Sequence, residues 1–268
     1  MDHYLKNEKM KKIFTLKVCL FILISSYSQK KEICGQIEYK FTTNIAYKHI
    51  ENYTLTFNNK KSFCEEKNVE KESSKKNQEE KDEGLQQNFI VGRKNITRKY
   101  YYDTRKDFYV KDNYLDEILI FKEKPLKVVW KLHSETKKLS NFLCKKATIS
   151  FRGRNYTAWY TAEIPVPFGP WKLRGLPGVI LELYDTDRVF HVLASHVKVG
   201  IDNCTISVDE KELKKAMSLN SYLDKKEELI DKMFAEMSAK RPKGTKPFKR
   251  DKSCEDCSKG IEIFNEKN

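Results

Sequence analysis

Short runs of β-branched and aromatic residues, separated by turn-forming residues, recur along most of this chain of 268 residues. In several runs apolar and polar residues alternate, as in QIEYKFT at 36–42. A two-residue period places the apolar side chains on one face of a strand. The repetition predicts an antiparallel, mainly β body of eight or more strands. The runs lie at 36–42, 54–57, 99–102, 107–110, 117–121, 128–132, 147–151, 156–160, 179–184 and 189–199, and 152–155 reads as a hairpin turn.

The pattern changes to a helical period over about 208–239. Ser207 and Glu210 have the spacing of a capping box that would begin this helical segment, and Asn220 with Ser221 would divide it in two. The predicted fold class is therefore a twisted antiparallel sheet or half-barrel packed on a C-terminal helical segment. The methionine and phenylalanine residues of the helix are interpreted as a packing face.

The first 28 residues have the features of a secretory signal peptide. Lysines precede a short apolar run from Val18 to Ile24, which is too short to span a membrane, and Ser26 and Ser28 follow at the cleavage positions. We expect an exported protein of the periplasm or cell surface with no transmembrane segment in the mature chain. Its single β-rich domain would cover 29–240, interrupted by a flexible charged insertion at about 65–88, and a charged tail would follow at 241–268.

The cysteine count fits an oxidising compartment. Cys19 belongs to the leader, and an even number remains. We interpret all of the others as disulfide candidates with no assigned pairing; they are Cys34, Cys64, Cys144, Cys204, Cys254 and Cys257. The close spacing of Cys254 and Cys257 could also indicate half a zinc site or a redox pair. Neither has the second ligand pair or the helical context it requires, so disulfides are favoured.

The chain is basic, with 52 Lys+Arg against 38 Asp+Glu. Most lysines are interleaved with acidic residues, which is typical of solvated surface. Together with export, this pattern argues against nucleic acid as a partner.

Aromatic, proline and glycine residues are concentrated between the runs at 156–160 and 179–184. Pro165, Pro167 and Pro170 exclude an internal strand, and Pro177 with Gly178 predicts a type II turn. One interpretation is a stiff crossover that serves folding. The other is the mouth of a pocket for an apolar ligand or partner, lined by Trp159, Tyr160, Phe168, Trp171, Leu176, Pro177 and Gly178.

The stretch GLPGVI at 175–180, preceded by FGPW at 168–171, resembles the GLPGLI family of exported proteins of Bacteroidetes-type bacteria. Further matching segments run in order from Trp130 to Asp185, among them FRGR at 151–154 and AWYT at 158–161. Val179 stands where the family usually has leucine. The resemblance implies an exported envelope protein, and it implies no specific mechanism.

Residue patterns for catalysis are weak. Ser134 and Lys137 have the spacing of a serine acyl enzyme, but they fall in strand and turn sequence. Glu163 and Glu182 flank the aromatic motif without a demonstrable pairing. We therefore assign no catalytic residue, no metal ligand and no cofactor.

The expected function is that of a non-enzymatic exported envelope protein. It would bind an apolar or lipid ligand, or act beside an outer-membrane transporter or another envelope protein. The alternatives are an exported hydrolase with scattered site residues and a purely structural envelope protein.

Overall fold

The computed structural model describes residues 33–45, 48–67, 98–103, 107–115, 117–124, 128–202, 204–248 and 261–263. The expected leader, most of the charged insertion, and the predicted disulfide cysteines Cys254 and Cys257 lie outside these residues.

The described chain forms one twelve-stranded, twisted sheet, which confirms the mainly β prediction. Neighbouring strands are antiparallel except β12, which runs parallel to β6. The spatial order is β12-β6-β5-β4-β3-β2-β1-β11-β10-β9-β8-β7, so β12 and β7 are edges and the sheet stays open. The strands are β1 Gly35–Asn44, β2 Lys48–Phe57, β3 Lys61–Glu66, β4 Lys99–Asp103, β5 Phe108–Tyr114, β6 Glu117–Glu123, β7 Lys131–Leu139, β8 Phe142–Phe151, β9 Arg154–Thr161, β10 Val179–Asp185, β11 Phe190–Val199 and β12 Met217–Ser218.

Alternation within the strands defines an inner and an outer face of the sheet. On β1, the side chains of Ile37, Tyr39 and Phe41 are buried in the core, while Lys40 between them is exposed. The same period continues on β5, where Phe108 and Val110 are buried. The core is therefore built on one face, here called the inner face.

Two strand predictions need correction. The sequence KSFCEE at 61–66 forms β3, which was not predicted because its apolar residues are few. Strand β7 begins at Lys131 rather than at 128, and it continues through the segment interpreted as strand and turn. The hairpin prediction near 152–155 is correct in place: Arg152 and Gly153 have positive φ of 45° and 74°, as expected of a type I′ turn between β8 and β9.

The helical segment is also divided differently from the prediction. Helix α1 (Glu210–Lys214) is capped by Asp209, whose side chain accepts from the Lys211 N–H, so Ser207 is not the cap. Helix α2 (Leu219–Ala239) is capped by Ser218. The break is made by β12, and Asn220 and Ser221 lie inside the first turn of α2.

The C-terminal elements cross the β6 edge of the sheet. A disulfide joins Cys34 to Cys204, and the following segment with α1 lies against the outer face of β3–β6. The chain then pairs with the β6 edge through β12. Helix α2 packs on the sheet through Tyr222, whose ring stacks on Phe121 at 4.0 Å between centroids. Among the described residues, neither helix has the length and apolarity needed to cross a membrane.

Candidate functional site

The connection between β9 and β10, residues 162–178, packs against the inner face of the sheet, and we call it the plug. Six of its apolar side chains are buried: Ile164, Val166, Phe168, Trp171, Leu173 and Leu176. Phe168 meets Phe57 of β2 and Tyr102 of β4. Just beyond the plug, the Ile180 carbonyl accepts a 2.6 Å hydrogen bond from the buried Tyr39 hydroxyl. The plug therefore joins distant strands from inside.

Four of the predicted pocket residues lie in the core. The exposed fractions of Tyr160, Phe168, Trp171 and Leu176 are 4%, 1%, 5% and 2%. The Trp171 ring lies 5.1 Å from that of Phe190 and also meets Phe151 and Tyr156. The motif is therefore a crossover whose apolar side chains form part of the core. In this conformation the four side chains present almost no surface to a ligand.

The other three predicted pocket residues, Trp159, Pro177 and Gly178, lie in three different environments. Trp159 is half-buried on the outer face, where the Lys137 ammonium lies 4.4 Å from the centre of its ring. Pro177 is exposed. Gly178 is not among the glycines with positive φ, so the predicted type II turn at Pro177 and Gly178 is wrong.

Close packing explains Gly178 instead. A Cβ at this position would lie 2.0 Å from the Thr161 carbonyl oxygen and 2.6 Å from its carbon. Gly178 thus permits the plug's exit to pass directly over the end of β9. Gly175 has a different reason, since its φ is +91°.

The plug also carries charge into the core. Lys172, 3% exposed at its side chain, pairs with Glu123 of β6 and with Glu262, the latter at 2.7 Å. Arg152 of the β8–β9 turn contacts the same two carboxylates, at 2.5 Å and 2.6 Å. Two cations and two carboxylates thus form a nearly enclosed network, in which loss of one member would leave a partner unpaired.

Residues 261–263 of the tail are held by this network and by backbone contacts. The Ile261 carbonyl accepts from the Tyr156 hydroxyl at 3.0 Å, and the Ile263 N–H donates to the Arg152 carbonyl at 3.1 Å. These contacts lie on the β8–β9 hairpin, where a Cβ on Gly153 would meet Ile263 at 2.8 Å. This docking could not be predicted from the sequence, because nothing local in the tail points to the hairpin.

A separate concavity lies on the outer face, between strands β3–β6 and the segment leading into α1; we call it the outer cleft. Its volume is about 140 Å³. Its floor consists of Phe63, Tyr101, Tyr109 and Ile120, and its wall includes Val208 and Leu213. The Tyr101 and Tyr109 rings lie 6.2 Å apart. An apolar floor with polar groups at the rim is typical of small-ligand sites.

The rim of the outer cleft is charged, with Lys99, Lys111, Asp209 and Glu212 among its lining residues. Lys111 pairs with Glu212 at 2.7 Å, so α1 is held to the sheet by a charged contact. Lys99 pairs with Glu65 at 3.0 Å. The outer cleft could not be predicted from the sequence, because its residues come from four strands and a distant segment.

Two cysteine predictions are wrong. Cys64 and Cys144 are free and buried, whereas Cys34 and Cys204 form a disulfide with their Cα atoms 5.8 Å apart. Burial raises the pKa of both free thiols, that of Cys144 to about 11. Each therefore stays a neutral, shielded thiol near pH 7.

The glutamates that flank the motif are engaged separately. Glu163 accepts from the Leu143 N–H at 2.8 Å, and Glu182 pairs with Lys137 and with His191, the latter at 2.9 Å. Burial raises the pKa of Glu182, but its bonds to His191 and Lys137 outweigh this, so the pKa is lowered. Within the described parts of the chain, no three His, Cys, Asp or Glu side chains are grouped as metal ligands.

One protein-family model matches this chain, over the β8–β9 turn, β9, the plug and the start of β10. A family model described as a protein of unknown function, Porph_ging, matches residues 152–182. This match covers the motif that carries the resemblance to GLPGLI proteins, but it does not confirm that family name. No curated protein matches the chain.

Among solved structures, two crystal forms of PNGF-II are similar to this chain. The C2 form has a TM-score of 0.49 and 17% identity over 72% of this chain, and the P21 form has 0.48 and 16% over 71%. In each case the matched region is 32% of the PNGF-II chain, so this chain spans about a third of that protein.

Proposed function

We propose that this chain is a non-enzymatic exported protein of the cell envelope that binds a small ligand with an apolar surface in the outer cleft. The observation that carries the proposal is the cleft itself, about 140 Å³ in volume, with three aromatic side chains in its floor and a charged rim. Aromatic faces contribute large contact areas to apolar ligands, while a few polar groups fix orientation.

The position of the plug argues against a lipid cargo site on the inner face and favours the outer cleft for an apolar ligand. Its buried apolar side chains occupy the inner face, where a lipid carrier would hold its cargo. Trp171, which was predicted to line a pocket there, packs on Tyr156 and Phe190 instead.

The Cys34–Cys204 disulfide supports both the compartment and the site. Disulfides persist in oxidising compartments, as in the periplasm or at the cell surface. Cys204 also begins the segment that forms the cleft wall, since Ser207, Val208, Asp209, Glu212 and Leu213 line the cavity. The disulfide therefore fixes one end of that wall to the start of β1. The proposal includes a role as an accessory protein of an outer-membrane uptake system, in which the ligand passes between this protein and the transporter.

The test compares two leucine-to-tryptophan variants. Leu213→Trp fills the outer cleft, whereas Leu143→Trp places the same side chain at a position that is 57% exposed on β8. Native mass spectrometry of protein from the envelope fraction should show a non-covalent adduct on wild type and Leu143→Trp, and none on Leu213→Trp. Saturation-transfer NMR with indole as the apolar probe should give the same ranking.

Circular dichroism establishes that both variants are folded before binding is compared. The proposal is overturned when wild-type protein shows neither an adduct nor an indole signal. Equal binding by wild type and a folded Leu213→Trp would overturn it too, because the ligand would then lie elsewhere. Co-purification of an outer-membrane transporter would place the protein in an uptake system.

A further inference from the structure

Arg174, in the plug, has an environment unlike that of the other buried cations. The residue is 7% exposed, and its guanidinium carbon lies 3.8 Å from the ring centre of Tyr102 and 4.9 Å from that of Phe108. Its backbone is fixed, because the Arg174 carbonyl accepts from the indole N–H of Trp130 at 2.8 Å. The guanidinium is thus held in contact with two aromatic rings on the inner face.

The end groups of this guanidinium lack hydrogen-bond partners. Both Nη1 and Nη2 are closed off from solvent, and among the described residues neither donates to a protein acceptor. Burial lowers the pKa of Arg174, partly offset by Tyr102 and Glu123, but an arginine side chain remains protonated in proteins. Ring contacts stabilise the positive charge without accepting its in-plane N–H groups. A buried cation in this state is destabilising unless an anion completes it.

The carboxylate whose charge acts on Arg174 is already engaged. Glu123 forms ion pairs with Lys172 and Arg152, and Glu262 forms ion pairs with the same two cations. No described carboxylate forms an ion pair with Arg174. Neighbouring cations are therefore neutralised within the protein, and Arg174 is not.

We propose that Arg174 anchors a second binding site, on the inner face, for a small monocarboxylate with an apolar body. The planar fork of a guanidinium matches the two oxygens of a carboxylate, which explains the class of ligand. One unpaired cation is balanced by one negative charge, which favours a carboxylate over a phosphate dianion. The rings of Tyr102 and Phe108 provide contact for the apolar body.

The entry path is placed on the side of Tyr102. Phe108 is 3% exposed, whereas Tyr102 is half-buried, so of the two rings Tyr102 is the one nearer to solvent. This site shares no residue with the outer cleft, and its test is independent of the proposed function.

The test measures the thermal stability of the full chain in sodium butyrate against sodium chloride at equal ionic strength. Ligands that bind only the native state raise Tm in a saturable way. We expect a rise of roughly 5 °C at butyrate concentrations far above Kd for a chain of this size. Inorganic phosphate should give a smaller rise than butyrate.

Arg174→Met should abolish the butyrate-dependent rise. Arg188→Met is the matched control: Arg188 is exposed and lies 3.6 Å from the ring centre of Tyr184, so this variant also removes one charge and one cation–π contact. It should retain the full rise. In chloride alone Arg174→Met should be at least as stable as wild type, because an unpaired buried charge is removed.

Two results overturn the site: a wild-type Tm that does not respond to butyrate beyond chloride, or a folded Arg174→Met that responds like wild type. If Arg174→Met fails to fold, wild-type NMR decides. The Arg174 side-chain ¹⁵Nε resonance should then shift saturably with butyrate, and an unmoved resonance rejects the proposal. Leu213→Trp should keep the butyrate effect, which separates this site from the outer cleft.

Discussion

Single residues show two physical reasons for glycine within one short motif. Gly175 has a φ of +91° and no atom within 4 Å of the position of a Cβ, so its requirement is conformational. Gly178 has a Cβ position only 2.0 Å from a backbone oxygen, so its requirement is steric. A flexible side chain could move away, whereas the Thr161 carbonyl belongs to β9 and cannot do so without disturbing the sheet.

We predict that Gly178→Ala is the more damaging of the two substitutions. Overpacking against backbone should lower the free energy of unfolding by about 3 kcal/mol or more, whereas Gly175→Ala should cost about 1 kcal/mol through backbone strain. Urea unfolding of both variants measures the difference. Gly200→Ala, also at positive φ in open space, is the control for strain alone. Equal losses for Gly178→Ala and Gly200→Ala would contradict the steric explanation.

At the scale of elements, a buried polar contact joins α2 to the sheet within an apolar interface. The Tyr222 hydroxyl donates to Asp112 at 2.6 Å, and Arg98 donates to the other carboxylate oxygen at 2.9 Å. Burial raises the pKa of Asp112, but the Arg98 charge and these two hydrogen bonds outweigh burial, so the pKa is lowered. The ionised carboxylate therefore links β5, Arg98 and α2.

This arrangement predicts an acid dependence of stability. A folded-state pKa below the unfolded value of about 3.9 gives stability that is present above that pH and is lost as the pH falls through the folded value. Asp112→Asn should cost about 2 kcal/mol at pH 7, after allowance for the partial exposure of Arg98. Its difference from wild type should shrink between pH 4 and about pH 2.

Urea midpoints measured from pH 7 downward check this prediction. Asp202→Asn, at an exposed position, is the control for a change of net charge. Tyr222→Phe, which keeps the ring on Phe121 but removes the donor, should cost about 1 kcal/mol. The free energy of unfolding of Asp112→Asn could instead stay below that of the wild type by the same amount down to pH 2. That result would show that ionisation of the carboxylate is not what stabilises α2.

For the whole molecule, long-range links decide which elements are neighbours. Strand β1 pairs with β11, far along the chain, and the disulfide joins cysteines 170 residues apart. The disulfide closes a loop that contains most of the sheet. It also fixes the segment that crosses from the outer face to the β6 edge.

We predict that Cys34→Ser combined with Cys204→Ser lowers the free energy of unfolding by up to about 5 kcal/mol, the chain-entropy limit for so long a loop. Urea unfolding of the double variant and of the wild type measures this difference.

Cys64 and Cys144 should resist iodoacetamide in the native protein, because burial shields them and raises their pKa. Peptide mapping after labelling with and without urea measures how far each of these two thiols is protected. Rapid native labelling of Cys64, or its recovery in a disulfide, would contradict the assignment of the thiols.

Much of the sheet could be predicted locally, because alternation within a strand is a property of consecutive residues. QIEYKFT lies within β1 as expected, and the hairpin near Arg152 is where its residues indicated. Strand β3 was missed because its short alternation, with Phe63 on the outer face, lacks a dense apolar pattern. Asp209 rather than Ser207 caps α1; Asp209 and Glu212 have the same spacing as Ser207 and Glu210, so the local pattern fits either residue.

The candidate sites could be predicted much less well. A run of aromatic residues predicts that their apolar surface will be buried, but it does not indicate whether protein or a ligand buries it. Trp171 is covered by Phe151, Tyr156 and Phe190, which come from three strands. The unsatisfied donors of Arg174 are likewise invisible in sequence, because they follow from which carboxylates Lys172 and Arg152 occupy.

The sequence alone determined the antiparallel β body, the C-terminal helical segment and the presence of a proline-rich crossover between two strands, since each follows from periodicity or from backbone restriction over a few residues. Only the tertiary structure decided that the crossover lies on the inner face, that Cys34 pairs with Cys204, and that the outer cleft forms beside α1. The physical reason is distance along the chain: local patterns fix which face of an element is apolar, whereas burial, charge pairing and cavities depend on residues brought together from far apart.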